Sequence, residues 1–308
     1  MPDGRVFDFE WTEAQRQRYA EDGFVVVEHL IDPAFAKVLE ARYDGLFAGK
    51  FETGTNPDNF PVQVEEGDSK PITRWMTNPW LSDYTIANFA LHPVFGKLIA
   101  RLNGWSGTRL LQNNIHWKPP GAPALSMHQD ASYHLWCEPA DLSSVWVALE
   151  ETTAEGGTLL FARGSHRWPR LEMAEYRARI EGLNLEGFLK PQDFRTFVDR
   201  SAEFAGVIAE LVPVEVPAGG GAFFHGWVWH GSDANRTDRH RYSISNHGIR
   251  RETRFHPTEP ANVFGRYKRF KDTTMDEAHF PVLWCDDGHR TDFLDAYMIE
   301  GSGAGLRM

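Results

Sequence analysis

From residue 108 onward the chain breaks into short apolar runs of β type, 109–118, 143–150, 157–161, 210–216, 221–229 and 240–249, separated by clusters of Gly, Pro and Asn. Runs of that length, rich in Val, Ile, Phe and Trp, predict strands and an all-β core. The residues before them read differently. Thr12 is placed to cap a helix that Gly23 ends, Phe24–Val27 reads as a strand, and Asp32-Pro33 opens a second helix running to about Phe47. Residues 48–72 lack a sustained period and predict a long loop near a pocket mouth. Over 83–103, Ile86, Phe89, Ala90, Val94, Leu98 and Leu102 recur at helical spacing and predict helix packed on a sheet. Helices first and strands of this number and length after them predict a mainly β fold with flanking helices, built on a double-stranded β-helix, the jelly-roll or cupin-like barrel.

At 308 residues, 42% hydrophobic and 13% aromatic, the chain can bury a large core. The pattern predicts one domain over 1–308, with helical support at 12–103, the jelly-roll core at 108–250 and a C-terminal extension at 251–308. Within the core, the charged, helix-tending stretch at 165–210 is expected to be a lid-like insertion over the barrel mouth, and the Gly-rich end 301–308 to fray. A net charge of −11 argues against nucleic acid or an anionic membrane as partner, because both reward clustered Lys and Arg. Cys137 and Cys285 alone make no disulfide framework and fit a reducing compartment. The first residues lack an export pattern, and the apolar runs fall well short of the roughly 20 residues that span a bilayer. A cytoplasmic protein acting on a small molecule is the expectation; oligomeric state leaves no mark in the sequence.

Polar residues punctuate these apolar runs in a pattern that suggests metal chemistry. His128 and Asp130 sit two apart and share a face if the run is extended. Far along the chain, the aromatic run Phe223-Phe224-His225-Gly226-Trp227-Val228-Trp229 delivers His230 just before a glycine. Two His and one carboxylate can grip a divalent metal on one side and leave the opposite positions open, as in non-haem Fe(II) oxygenases. If 222–230 is one strand and 241–247 returns antiparallel to it, Arg241 falls beside the metal, where a guanidinium can hold a carboxylate through a two-bond fork. On 109–118, His116 shares strand parity with Gln112, Asn114 and Lys118, which either face a pocket or face solvent. Odd spacing from His230 makes His225 a packed histidine rather than a ligand, and His166 is expected to orient the Gly164-Ser165 turn. Most of the eleven tryptophans are expected to fill the barrel.

Taken in order, His128-Gln129-Asp130, Gly164-Ser165-His166-Arg167, and His230-Gly231-Ser232 with Asn235 and Arg241, preceded by Ile115-His116-Trp117-Lys118-Pro119-Pro120-Gly121, resemble the phytanoyl-CoA dioxygenase family of Fe(II)- and 2-oxoglutarate-dependent oxygenases. The likeness covers about residues 12–250. It departs at Ala162-Arg163, where the family usually has proline before Gly-Ser-His, and at Gly156, where Asn commonly precedes the next glycine. The resemblance implies that His128, Asp130 and His230 hold Fe(II) and that Arg241 holds the distal carboxylate of 2-oxoglutarate. It points to Gln112, His116 and Ser144 as cosubstrate contacts, and to Tyr133, His134 and Trp136 as substrate walls. The implied reaction is hydroxylation of an aliphatic C–H of a small metabolite or natural-product intermediate, using dioxygen and releasing succinate and carbon dioxide.

Other chemistries remain open on the residues alone. A zinc hydrolase can also use two His and a carboxylate, but it leaves Arg241 without a purpose. A halogenase of the same fold would need a small residue in place of Asp130. A cupin-like binding protein with an idle metal site would bind metal and acid without turnover.

Overall fold

Thr12 opens α1 (Glu13–Asp22) through a reciprocal cap: its hydroxyl accepts from the Gln15 backbone N–H, and the Gln15 side chain accepts from the Thr12 N–H. Gly23 closes the helix with φ 85, a left-handed conformation that favours glycine. The chain then enters β1 (Phe24–Val27). The single helix expected over 33–47 is two, α2 (Pro33–Glu40) and α3 (Tyr43–Phe47). No Gly or Pro marks the break; Arg42, at that point, reaches across to Asp83 at 2.6 Å and Glu52 at 2.9 Å. After β2 (Arg74–Thr77), the expected helical stretch divides into α4 (Tyr84–Ala90) and α5 (Pro93–Asn103). Proline there interrupts one helix and starts the next. The structure, a computed structural model, describes residues 5–59, 71–173 and 194–297. Parts of the 48–72 loop and of the 165–210 insertion, and the end 301–308, therefore lie outside the described residues.

The strands follow as β3 (Gly107–Lys118), β4 (Leu125–His128), β5 (Cys137–Glu138), β6 (Leu142–Ala148) and β7 (Leu159–Ala162), then α6 (Thr196–Phe204) and β8 (Leu211–Pro213). They continue as β9 (Gly221–His225), β10 (His230–Ser232), β11 (Arg241–Arg250), β12 (Arg254–Phe255) and β13 (Val282–Cys285). A large sheet runs β1-β9-β6-β11-β3-β13, with β2 also on β3; a smaller one runs β4-β10-β7-β8. Their pairings are antiparallel, and the two sheets make the double-stranded β-helix. Among the described residues no helix is long and apolar enough to cross a membrane.

Side-chain alternation on β6 shows how the large sheet is held between two layers. Val145 and Val147 join the core shared with Phe89, Phe95 and Leu98 of the helices, while Trp146 and Ala148 face inward to Phe161 and Phe224. Phe89 and Phe95 are fully buried, each contributing about 1.5–3 kcal/mol. The expected strand 221–229 is not continuous. β9 ends at His225 in the large sheet, residues 226–229 turn, and β10 begins in the small sheet. Gly226 permits that crossing, because a Cβ there would lie 2.9 Å from the Leu142 carbonyl oxygen. Consequently His230 and Arg241 are not hairpin neighbours; β11 lies between β3 and β6.

The C-terminal extension closes one end. Phe255, Phe264 and Phe280 surround Trp136, and Arg109 donates to the carbonyls of Met275 at 2.7 Å and Phe280 at 3.1 Å.

Candidate active site

Backbone pairing brings the two histidines together: His230 on β10 is the direct cross-strand partner of His128 at the end of β4. Asp130 follows β4 in a short 3₁₀ turn, so the expected shared strand face is replaced by a turn that aims the carboxylate back. Its Oδ1 lies 3.3 Å from His230 Nε2 and 3.6 Å from His128 Nε2. Among the described residues, His128, Asp130 and His230 are the group whose ligand atoms all lie within 4.8 Å of one another. His128 Nδ1 sits 3.0 Å from the Ser126 carbonyl and His230 Nδ1 3.1 Å from the Val228 carbonyl. A carbonyl only accepts, so each Nδ1 carries the hydrogen and each Nε2 presents a lone pair to the common point. That donor set fits a divalent metal with open positions.

The three groups shift one another's titration. Burial works to raise the Asp130 carboxyl, but the charges of His230 and His247 and its hydrogen bonds hold it well below the usual range. Burial and the neighbouring His230 push His128 down. For His230, burial works downward too, yet the Asp130 charge and hydrogen bond leave it raised.

A cavity of about 260 Å³ opens beside the triad. Gln112, His116, Tyr133, His134, Trp136 and Arg241 all line it. Arg241 is buried, with its Nε lacking a hydrogen-bond partner, and burial pushes the guanidinium down to about 10. The Trp146 ring lies 6.0 Å away, Lys118 is on the adjacent strand, and Glu150 and Tyr43 are near enough for their charges to act on it. Lys118 is spoken for: its Nζ donates to Ser232 Oγ at 2.8 Å and to the Asp233 carbonyl. A buried guanidinium without an ion pair among the described residues, on the wall of the cavity beside the triad, fits the far carboxylate of a dicarboxylic acid. Burial and the Arg241 charge push His116 down to about 3.

Ser144 differs from expectation. It does not line the cavity; it is fully buried, and its hydroxyl donates to Asp130 Oδ2 at 3.2 Å. Its short side chain is used up by the carboxylate behind the metal position. Trp136 is at once wall and core, stacked on Phe255 at 5.5 Å. His225 packs against His166, ring centres 5.4 Å apart, and His166 leans on the end of α1 near the Ala20 carbonyl.

The sequence reading missed His247, whose Nδ1 lies 3.2 Å from Asp130 Oδ2. Strand parity with Arg241 was the available signal, since 241, 243, 245 and 247 share one face of β11. It also missed Asn262, Val263 and Phe264, which reach the cavity from the C-terminal extension and carry no motif. A second cavity of about 440 Å³ adjoins the first through Tyr133, Trp136 and Asn262, and takes its far wall from Trp168, Arg170 and Trp227.

Comparison with known proteins agrees with this geometry. A probable phytanoyl-CoA dioxygenase of Caenorhabditis elegans is 26% identical over 249 residues, covering 76% of this chain and 73% of that protein. The crystal structure of the epimerase SnoN with Fe3+, alpha ketoglutarate and nogalamycin RO superposes with a TM-score of 0.65 at 21% identity, covering 88% of this chain and 98% of that one. That of EctD from S. alaskensis with 2-oxoglutarate and 5-hydroxyectoine gives 0.57 at 18% identity, covering 82% and 83%. The family model for phytanoyl-CoA dioxygenase (PhyH) matches residues 19–243, most of the chain, and the chain belongs to that family of 2-oxoglutarate-dependent non-haem iron dioxygenases.

Proposed function

We propose that the chain hydroxylates an aliphatic C–H of a small metabolite or natural-product intermediate, with His128, Asp130 and His230 holding Fe(II) and Arg241 holding the distal carboxylate of 2-oxoglutarate. The observation that carries this reading is the buried guanidinium of Arg241 on the wall of the same cavity as the three converging ligand atoms. When bound, iron with 2-oxoglutarate and dioxygen supplies the oxidising power to take hydrogen from an unactivated carbon. This chain's residues bind and orient. Arg241 and the Trp146 face fix one end of the dicarboxylic acid, and Gln112 and His116 flank it from β3. Phe224 packs 4.9 Å from the His230 ring and keeps water from that side. Tyr133, His134 and Trp136, which line the same cavity, form the wall to which the substrate's reacting carbon is presented.

The two cavities together suit a substrate whose reacting end enters the metal cavity and whose remainder lies among Trp168, Trp227 and Trp136, under the flanks of the 165–210 insertion. The second cavity's Arg170 is already stacked 3.7 Å over the Trp227 ring. Among the described residues no basic cluster is left there for the phosphates of a coenzyme A, and the net charge of −11 agrees. SnoN with nogalamycin RO and EctD with 5-hydroxyectoine support a small molecule rather than a macromolecule.

Succinate release tests the reading. Fe(II)-loaded protein given 2-oxoglutarate and dioxygen is expected to release succinate faster with a true substrate present, and the substrate is expected to gain one oxygen by mass. Tight binding of metal and 2-oxoglutarate with no succinate under any substrate would leave an idle binding protein. A product changed in stereochemistry or bond order without added oxygen would replace hydroxylation by another outcome of the same hydrogen removal.

A further inference from the structure

We propose that His247 is a positioning residue for the metal-binding carboxylate: with Ser144 it occupies the outer oxygen of Asp130, so that one oxygen alone faces the metal. The inference rests on the reading of His128, Asp130 and His230 as ligands. The two oxygens of Asp130 have different surroundings. Oδ1 is the atom near both His Nε2 atoms, whereas Oδ2 lies 3.2 Å from Ser144 Oγ and 3.2 Å from His247 Nδ1.

Hydrogen positions follow from what each atom can do. A carboxylate accepts, so the single hydrogen of Ser144 goes to Asp130. His247 Nδ1 is 2.8 Å from that same hydroxyl oxygen, and with the serine hydrogen committed, Nδ1 is the donor to Ser144 Oγ, with Asp130 Oδ2 a further 3.2 Å contact of the same ring nitrogen. Nε2 is then the acceptor, and the Asn114 side-chain amide lies 3.1 Å away to donate to it. Asn114, Asp130, Ser144 and His247 are all buried, and all but Ser144 line the cavity.

Backbone geometry builds the arrangement from three strands. His247 on β11 is the direct cross-strand partner of Ser144 on β6, and the β11–β3 register shifts between His247 and Gly248. A bulge of this kind re-aims a side chain. A carboxylate with both oxygens free can close on a metal with both and take a position that cosubstrate or dioxygen needs. Donors on Oδ2 oppose that, which is the ordinary work of groups behind a metal ligand.

Co(II) titration of the metal-free protein, followed by its visible absorption, tests the proposal without turnover. His247→Phe keeps a ring but removes the donor; His247→Asn keeps an N–H close to the place of Nδ1. His247→Phe is expected to bind Co(II) about 10–100-fold more weakly, with an altered spectrum, and His247→Asn to return most of the affinity and the parent spectrum. Parent-like affinity and spectrum in His247→Phe would overturn the proposal, as would equal losses in both variants, which would mean packing alone. Should His247→Phe fail to fold, Ser144→Ala removes a single hydroxyl from the same oxygen and is held to the same readout. His128→Ala separates the two readings. If it loses Co(II) while His247→Phe does not, only the positioning role falls; if it binds Co(II) normally, the triad itself is wrong.

Discussion

Arg241 brings a charge to a place where, among the described residues, no carboxylate lies within salt-bridge range, and its Nε has no hydrogen-bond partner. A buried guanidinium in that state is costly unless an anion completes it. Arg241→Lys keeps the charge but loses the planar fork, so the KM for 2-oxoglutarate is expected to rise far more than the KM for substrate. Arg241→Ala is expected to cost about 2–5 kcal/mol of 2-oxoglutarate binding, read by calorimetric titration. Parent-like binding in that variant would move the role to another cation. The placing of Arg241 in the cavity was legible in the sequence although the hairpin invoked to place it was wrong. Residue type and order survive such an error, because β11 reaches the cavity by pairing with β3 and β6 instead.

β10 is short, yet it carries His230 and Ser232 into the cavity and is paired on both edges, with β4 and β7. Gly231 lets it lie that close: a Cβ there would sit 2.8 Å from the Leu125 carbonyl oxygen and 3.0 Å from Met127 Sδ. Gly231→Val is therefore expected to push β10 from β4, spread the His128–His230 pair, weaken Co(II) binding and cost about 1–3 kcal/mol of stability. Thermal melting and Co(II) titration check it, and a variant with parent values in both would show that the strands have room. Elements set by local chemistry read well from the sequence: α1 by its capping Thr12 and glycine stop, and the start of α2 by Asp32-Pro33. The split of 33–47 and the crossing at 226–229 did not, because their apolar patterns continue through both breaks. The breaks are set by what the chain meets, Asp83 and Glu52 in one case and the Leu142 backbone in the other.

At the scale of the whole molecule, burial of histidines around the cavity ties stability to pH. His134 is 7% exposed, and burial, then the charge of His247, push it down to about 3. An unfolded histidine titrates near 6.5, so between about pH 6.5 and 3 the unfolded chain binds a proton the folded one lacks. Stability is then lost as pH falls through that window, with a slope from this residue of up to about 1.4 kcal/mol per pH unit. Urea unfolding at pH 7, 6 and 5 should show the decline, and His134→Asn should flatten it by about that amount. An unchanged slope would assign the decline to other groups.

The sequence by itself determined the β-rich core behind a helical start, and singled out His128, Asp130 and His230, whose ligand atoms converge, together with Arg241, which lines the same cavity. Those readings rest on alternation, caps and the donor chemistry of side chains, which are properties of the residues themselves. Only the tertiary structure decided that Ser144 stands behind Asp130 rather than in the cavity and that His247 shares its outer oxygen. The same holds for Asn262–Phe264, which come from outside the barrel to complete the wall. The physical reason is that each depends on which strands lie side by side across the sheet. That order is fixed by packing two sheets and a layer of helices around one core, at separations along the chain that no local pattern encodes.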